Sequence, residues 1–241
     1  MKKTLIVGGC SFTFEPWNCP GPTSEELDLN LINVGMGSQG NGLISKKVIY
    51  TVEQQLKIKK SEEIIVGIMW SGFDRHEIYI ENPKKYINID GWIENPTSII
   101  DGYKNWLILN CNWKIEEAEM WYTNFHTNIS ATIESIKNIL FTQLYLEKRN
   151  IKYFMTTFVD VFDLWKHEIN NVEVKYLYDM IDFNNFIPIK GCAEWVRENY
   201  LEIGFTDPIK AAYELHHPNS DGHKKFAKDV VVPYLKEKKY V

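Results

Sequence analysis

Two short segments near opposite ends of the sequence hold the residue types that covalent chemistry needs. The first, Gly8-Gly9-Cys10-Ser11-Phe12-Thr13, puts a serine just behind two glycines and a cysteine. Glycines there let the backbone turn sharply and leave the hydroxyl exposed, with the serine's own N–H free to donate to an oxyanion. Glycine-rich strand ends also bind phosphate or simply make turns, so this segment alone does not select a chemistry. The second segment, Glu214-Leu215-His216-His217-Pro218-Asn219, places a carboxylate three residues before a histidine, on a loop that runs into a helix. Such spacing lets the carboxylate accept from one imidazole nitrogen while the other faces a nucleophile, the division of labour in serine hydrolysis. The expected roles are Ser11 as nucleophile, His217 as base and Glu214 as the group that orients His217. His216 is the weaker candidate, because the residue three before it is Tyr213, which cannot orient an imidazole by charge. Cys10 is read as a buried packing residue and His223 as a packing or capping one. His76, His126 and His167 show no ligand spacing, so no metal and no cofactor is expected.

These side chains need strands and helices to bring them together. Thr4 to Val7, Leu29 to Val34, Glu63 to Trp70 and Ile151 to Phe158 are apolar runs of the kind found in buried parallel strands. Between them, Ser24 to Leu27 reads as a short capped helix. Asn41 to about Lys57 and Asn128 to Arg149 keep one apolar face at helical period. Short helices are expected near Tyr176 to Phe183 and Cys192 to Tyr200, and Asp221 to about Lys236 closes the sequence as an amphipathic helix. This alternation predicts an α/β fold with a central parallel sheet covered by helices on both sides. In such sheets ligands sit outside the C-terminal strand ends, where the Ser11 loop belongs. The exception is a polar, aromatic-rich insertion after the third strand, at about 72–127. No repeat or low-complexity linker divides the sequence, so residues 1–241 are expected to form one domain.

Together these residues resemble the SGNH hydrolases, also called the GDSL lipase and esterase family. The family's nucleophile motif is similar to Gly9-Cys10-Ser11-Phe12-Thr13, with Cys10 where the common form has Asp. Its second motif is similar to Asn33-Val34-Gly35-Met36-Gly37-Ser38, and its closing Asp-x-x-His-Pro to Glu214-Leu215-His216-His217-Pro218. The trailing Asn219, Gly222, His223 and Ala227 also fit its last helix. The motifs occur in the family's order across nearly the whole sequence, and the resemblance implies a flavodoxin-like three-layer sandwich. It also implies a backbone oxyanion donor at Ser38. The family's third-strand Gly-x-Asn-Asp is replaced by Trp70-Ser71-Gly72-Phe73-Asp74-Arg75, so the Asn that helps hold the oxyanion is missing. Either Ser71 or Asn41 is expected in its place. Loss of one such donor lowers turnover on the order of 10² to 10³. A start such as Gly-Cys-Ser-Phe-Thr is similar to those of bacterial and phage members.

Composition narrows the partners. With 44% hydrophobic and 24% charged residues among 241, the protein has enough apolar material for a sizeable core and is not a disordered one. A net charge of −5 disfavours nucleic acid and anionic membrane surfaces. No apolar run approaches the roughly 18 to 20 residues of a membrane span. The apolar stretch after Met1-Lys2-Lys3 stops at Gly8-Gly9, short of a secretory segment, and a cytoplasmic location is expected. The four cysteines form no CxxC pair, consistent with reduced thiols. Of the eight Trp, five fall between residues 70 and 121, which favours a role for the insertion at the site. Trp70 and Arg75 are accordingly expected to touch substrate, an ordinary Asp74–Arg75 ion pair being the other reading of Arg75. The expected activity is hydrolysis of an acyl or acetyl ester, of a small molecule or a glycan, through an acyl-enzyme. Acyl transfer by the same residues, or a binding module that has lost turnover, are the alternatives.

Overall fold

Four parallel strands, β1 (Thr4–Gly9), β2 (Asn30–Asn33), β3 (Ile64–Trp70) and β6 (Lys152–Thr157), form the central sheet in the order β2-β1-β3-β6. The computed structural model describes residues 2–14, 18–81, 106–111, 115–214 and 216–241. Strand β1 leads into the short helix α1 (Ser11–Phe14) and then α2 (Pro20–Glu26), and helix α3 (Asn41–Leu56) connects β2 to β3. Every residue of β1 and β3 is buried, as strands covered on both faces must be.

The two faces are distinguished by what each side chain meets. A Cβ on Gly8 would lie 2.3 Å from Val48 Cγ2, so α3 packs against the backbone of β1 on that face. On the other face, Leu5, Val7, Gly67 and Phe154 share a small void of about 20 Å³ with Cys19 and Thr23 of the α2 region and with Val231. Helices therefore cover both sides, giving an α/β sandwich of the expected class. Neighbour order around β1 reverses direction, with β2 on one side and β3 on the other. The loop after β1 thus opens at the topological switch point.

The insertion contains an antiparallel pair, β4 (Arg75–Tyr79) with β5 (Trp106–Asn110), and then α4 (Glu116–Asn124). Leu107, Leu109 and Ala118 form a small cluster of their own there, and the Tyr122 hydroxyl ties α4 to the carbonyls of Asp74 and Leu109. Helix α5 (Asn128–Lys148) is capped by Thr127, whose hydroxyl accepts from the Ser130 N–H, and leads into β6. Beyond it lie α6 (Val161–Leu164), α7 (Val172–Tyr178), α8 (Cys192–Gly204) and α9 (Pro208–Tyr213). A single parallel bridge from Met155 to Phe186 continues the sheet past β6.

The closing helix is made of α10 (Ser220–Phe226), a π-type turn at Ala227–Val231 and α11 (Val232–Glu237). Pro233 lies just after the widened turn and has no N–H to donate, which accounts for the break in the regular ladder. Among the described residues, no helix is long and apolar enough to cross a membrane. Cys10, Cys19 and Cys192 are buried free thiols.

Candidate active site

Ser11 begins α1 directly at the end of β1, and three side chains lock that turn. Asn18 Nδ2 donates to the Ser11 carbonyl at 2.8 Å, Gln39 Nε2 donates to the Gly9 carbonyl at 3.0 Å, and Asn33 Nδ2 donates to the Thr13 carbonyl. Asn33 also accepts from the Gly35 N–H at 2.9 Å, so the turn after β2 and the Ser11 turn are held as one unit. Close approach is part of the design. A Cβ on Gly35 would stand 2.2 Å from Thr13 Oγ1. Ser38 lies in the same turn with φ of 59°, a left-handed conformation that favours glycine.

The histidine comes from the far end of the sequence. Asn219 caps α10, its Oδ1 accepting from the Asp221 and Gly222 N–H groups, while its Nδ2 donates to the Ile203 carbonyl at 2.9 Å. The loop before α10 is thereby fastened to the end of α8. The result is that His217 Nε2 lies 2.6 Å from Ser11 Oγ, although 206 positions separate the two residues. His217 rests against the Phe12 ring, centroids 4.2 Å apart at 34°, and Phe12 in turn packs edge-on against Phe158 and His223. Burial holds the His217 pKa below its ordinary value, and the positive charge of Arg75 and the neighbouring His216 push the same way. The imidazole is neutral at pH 7, the state in which Nε2 can accept the Ser11 proton. That requires the remaining proton on Nδ1.

Glu214 is placed differently from the expectation. Arg197 of α8 donates from Nε to the Ala211 carbonyl at 2.6 Å and from Nη2 to the Glu214 carbonyl at 3.1 Å, which sets the path of this loop. The Glu214 carboxylate then stands 3.5 Å from His216 Nε2 and 3.9 Å from Lys210 Nζ. No carboxylate among the described residues hydrogen-bonds to His217. Spacing alone puts two adjacent imidazoles within reach of Glu214, and the loop turns it towards the nearer one.

The side chains expected at the oxyanion are engaged elsewhere. Asn41 accepts the Ser71 N–H at 2.8 Å and donates to the Ser71 carbonyl and to Ser135 Oγ, each at 3.1 Å. Its amide therefore fastens the start of α3 to the end of β3. Ser71 is fully buried, and its hydroxyl accepts from Arg75 Nη1 at 2.8 Å. Trp70, expected to touch substrate, has 0% exposure and donates to Met155 Sδ, so it belongs to the core. Arg75 also donates to the Gln39 carbonyl at 3.1 Å, and its guanidinium lies over Phe158. Phe12, Gln39 and Asn18 are the supporting residues that spacing does not single out. Phe12 and Asn33 lie within the quoted motifs, whereas Asn18 and Gln39 lie outside them.

Beside Arg75 a cleft of about 610 Å³ opens between the start of α3, β4, α4 and α5. Trp121 lines it, stacked face to face on His76 with centroids 3.8 Å apart. The Glu77 carboxylate sits at the N-terminus of α3, and burial raises its pKa to about 7 against the opposing pull of Lys46 and of the Leu43 and Gly40 N–H groups. Trp106 is covered by Lys46 instead, with Nζ 3.9 Å from the ring centroid. Trp92 and Trp113 lie outside the described residues.

The protein matches no protein-family model and no curated protein. Among solved structures it is similar to a protein assigned to the G-D-S-L lipolytic family from Desulfitobacterium hafniense. That pair has 11% identity and a TM-score of 0.49, over 94% of this chain and 97% of that one. It is also similar to a member of the lipolytic protein G-D-S-L family from Veillonella parvula, with 10% identity and a TM-score of 0.45 over 93% and 94% of the two proteins. At these scores neither likeness bears on activity, and the contact between Ser11 and His217 is the observation that does.

Proposed function

We propose that this protein is a serine ester hydrolase that works through a Ser11–His217 dyad and a covalent acyl-enzyme. The observation that carries this reading is the 2.6 Å contact between Ser11 Oγ and His217 Nε2 at the switch point of the sheet. In the first half-reaction His217 Nε2 takes the Ser11 proton while Oγ bonds to the acyl carbonyl carbon. The tetrahedral intermediate collapses as the C–O bond to the alcohol breaks, and the leaving oxygen takes the proton back from Nε2. Water then repeats the sequence, with His217 as its base, and releases the acid and free Ser11. The Ser11 and Ser38 N–H groups are the proposed oxyanion donors, since the Asn41 amide donates to Ser71 and Ser135 and the Ser71 side chain is fully buried.

The electrostatics fit a modest catalyst. Arg75 favours a developing oxyanion but disfavours the imidazolium, and no carboxylate among the described residues stands opposite His217 to compensate. Mass spectrometry after incubation with a fluorophosphonate tests the reading directly. One adduct on Ser11 is expected, lost in Ser11→Ala and slowed by about 10² or more in His217→Ala. An unmodified native protein that also fails to turn over 4-nitrophenyl acetate would remove the proposal.

A further inference from the structure

The turn that carries the Ser38 N–H is held firmly on its upstream side. Met36 N–H donates to the Gly9 carbonyl at 3.2 Å, and Gln39 N–H donates to the Met36 carbonyl at 3.3 Å. Downstream the local sequence offers less. Helix α3 follows at once, with Gly40 as its N-cap, and a glycine has no side chain to cap with. The first turn of α3 holds no acidic residue either. The leading N–H groups of a helix have no partner within it, so this 16-residue helix needs an answer from elsewhere.

The inserted hairpin supplies it. Arg75 and Glu77 lie two apart on β4 and share a face of the strand. Arg75 Nη1 donates to the Gln39 carbonyl at 3.1 Å, and a Cβ on Gly40 would stand 3.2 Å from the Arg75 carbonyl, so this strand packs directly on the entry to α3. Glu77 reaches the helix itself. A Cβ on Gly40 would collide with its Oε1, and one on Gly42 would stand 2.7 Å from its Oε2. Two glycines at the head of α3 thus leave the space that the carboxylate fills. The Gly40 and Leu43 N–H groups face it, and Lys46 and Arg75 favour the same negative charge. We propose that Glu77 is a positioning residue of the hydrolase, capping α3 from the insertion and so fixing the Ser38 N–H at the oxyanion. This assignment rests on the ester hydrolase reading. It makes the hairpin a brace behind the oxyanion turn.

The test separates positioning from folding and from the hydrolase reading. Turnover of 4-nitrophenyl acetate by Glu77→Ala is compared with that of the native protein, with circular dichroism confirming the fold. An oxyanion contact is made in the transition state, so kcat is expected to fall about tenfold while KM stays within about twofold. Adding Gly42→Asp returns a carboxylate to the first turn of α3, in the space that Glu77→Ala vacates, and should recover most of the loss. Hydrogen exchange of the Gln39 and Ile44 amides, whose bonds to the Met36 and Gly40 carbonyls flank the entry to α3, should quicken in Glu77→Ala and slow again in the double variant. A folded Glu77→Ala protein with kcat within about twofold of the native value would overturn the assignment, as would a loss that Gly42→Asp leaves unrecovered. If Glu77→Ala does not fold, Glu77→Gln keeps the size, removes the charge and is judged by the same kcat and exchange criteria. A native protein with neither turnover nor a Ser11 adduct would overturn the hydrolase reading and the positioning role together, and faster exchange in Glu77→Ala would then leave Glu77 as a cap of α3 alone.

Discussion

Asn41 and Ser71 form a closed two-way pair, the Asn41 amide accepting the Ser71 N–H and donating to the Ser71 carbonyl. Both residues are buried, so neither backbone group has water as a substitute partner. Asn41→Ala strands a buried N–H and a buried carbonyl, and is expected to lower stability by about 2–4 kcal/mol. Urea unfolding measures this, and a loss below about 0.5 kcal/mol would show that the pair is dispensable. Asn41→Asp keeps the acceptor and should recover part of the difference.

The depressed pKa of His217 sets the pH dependence of its reaction. Only the neutral imidazole accepts the Ser11 proton, so inactivation by a fluorophosphonate should rise with pH through a limb below 6.5 and stay level above it. Arg75 is a cause of the depression, and Arg75→Gln should move the limb upward. His216→Gln should move it the same way by less, since His216 is the smaller contributor. A limb that stays in place in Arg75→Gln would mean that the charge does not reach His217.

Glu214 distinguishes a dyad from a triad. In a triad, neutralising the acid lowers kcat by about 10⁴. Here the carboxylate faces His216 and Lys210, so Glu214→Gln is expected to reduce ester turnover by less than about tenfold. Steady-state kinetics on an aryl acetate decides it. A fall approaching that of a triad acid would show that the loop turns during catalysis.

His223 links stability to pH. It is 1% exposed, its Nδ1 has no partner, and burial lowers its pKa to about 3 from 6.5. Between those values the unfolded protein binds a proton that the folded one refuses, so stability falls as pH falls, by up to roughly 1.4 kcal/mol per unit from this group. The contribution is fully present above the unfolded pKa. His223→Gln removes the titration, and its urea midpoints between pH 6.5 and 4.5 should decline less steeply than those of the parent.

Much of this molecule can be read from residue patterns, and the unreadable parts share a cause. Ile64 to Trp70 is an unbroken apolar run because both faces of β3 are covered, and helix α3 keeps Leu43, Ile44, Val48 and Val52 on its buried side. The hairpin is hidden because Arg75 to Tyr79 is mostly polar and pairs with Trp106 to Asn110 across a long insertion. Helix α9 has only six residues, too few to show a period. At the site, residue types locate Ser11 and His217, which the structure brings together. The orientation of Glu214 depends on Arg197 pulling on two loop carbonyls, and that of Asn41 on where β3 ends. Such partners are set by tertiary packing, and no local spacing encodes them.

The span of the Ser11–His217 contact also bears on how the protein acquires its reactivity. Ser11 is carried by the first strand and His217 by the loop ahead of the closing helix, so the pair exists only once the sheet has formed and that helix has docked. Contacts of such long sequence separation close late, after the loop entropy between them has been overcome. During refolding, covalent capture at Ser11 should therefore lag behind the recovery of helical circular dichroism. The nucleophile then acts as a clock for the last step of assembly, reporting when the two ends of the fold have met.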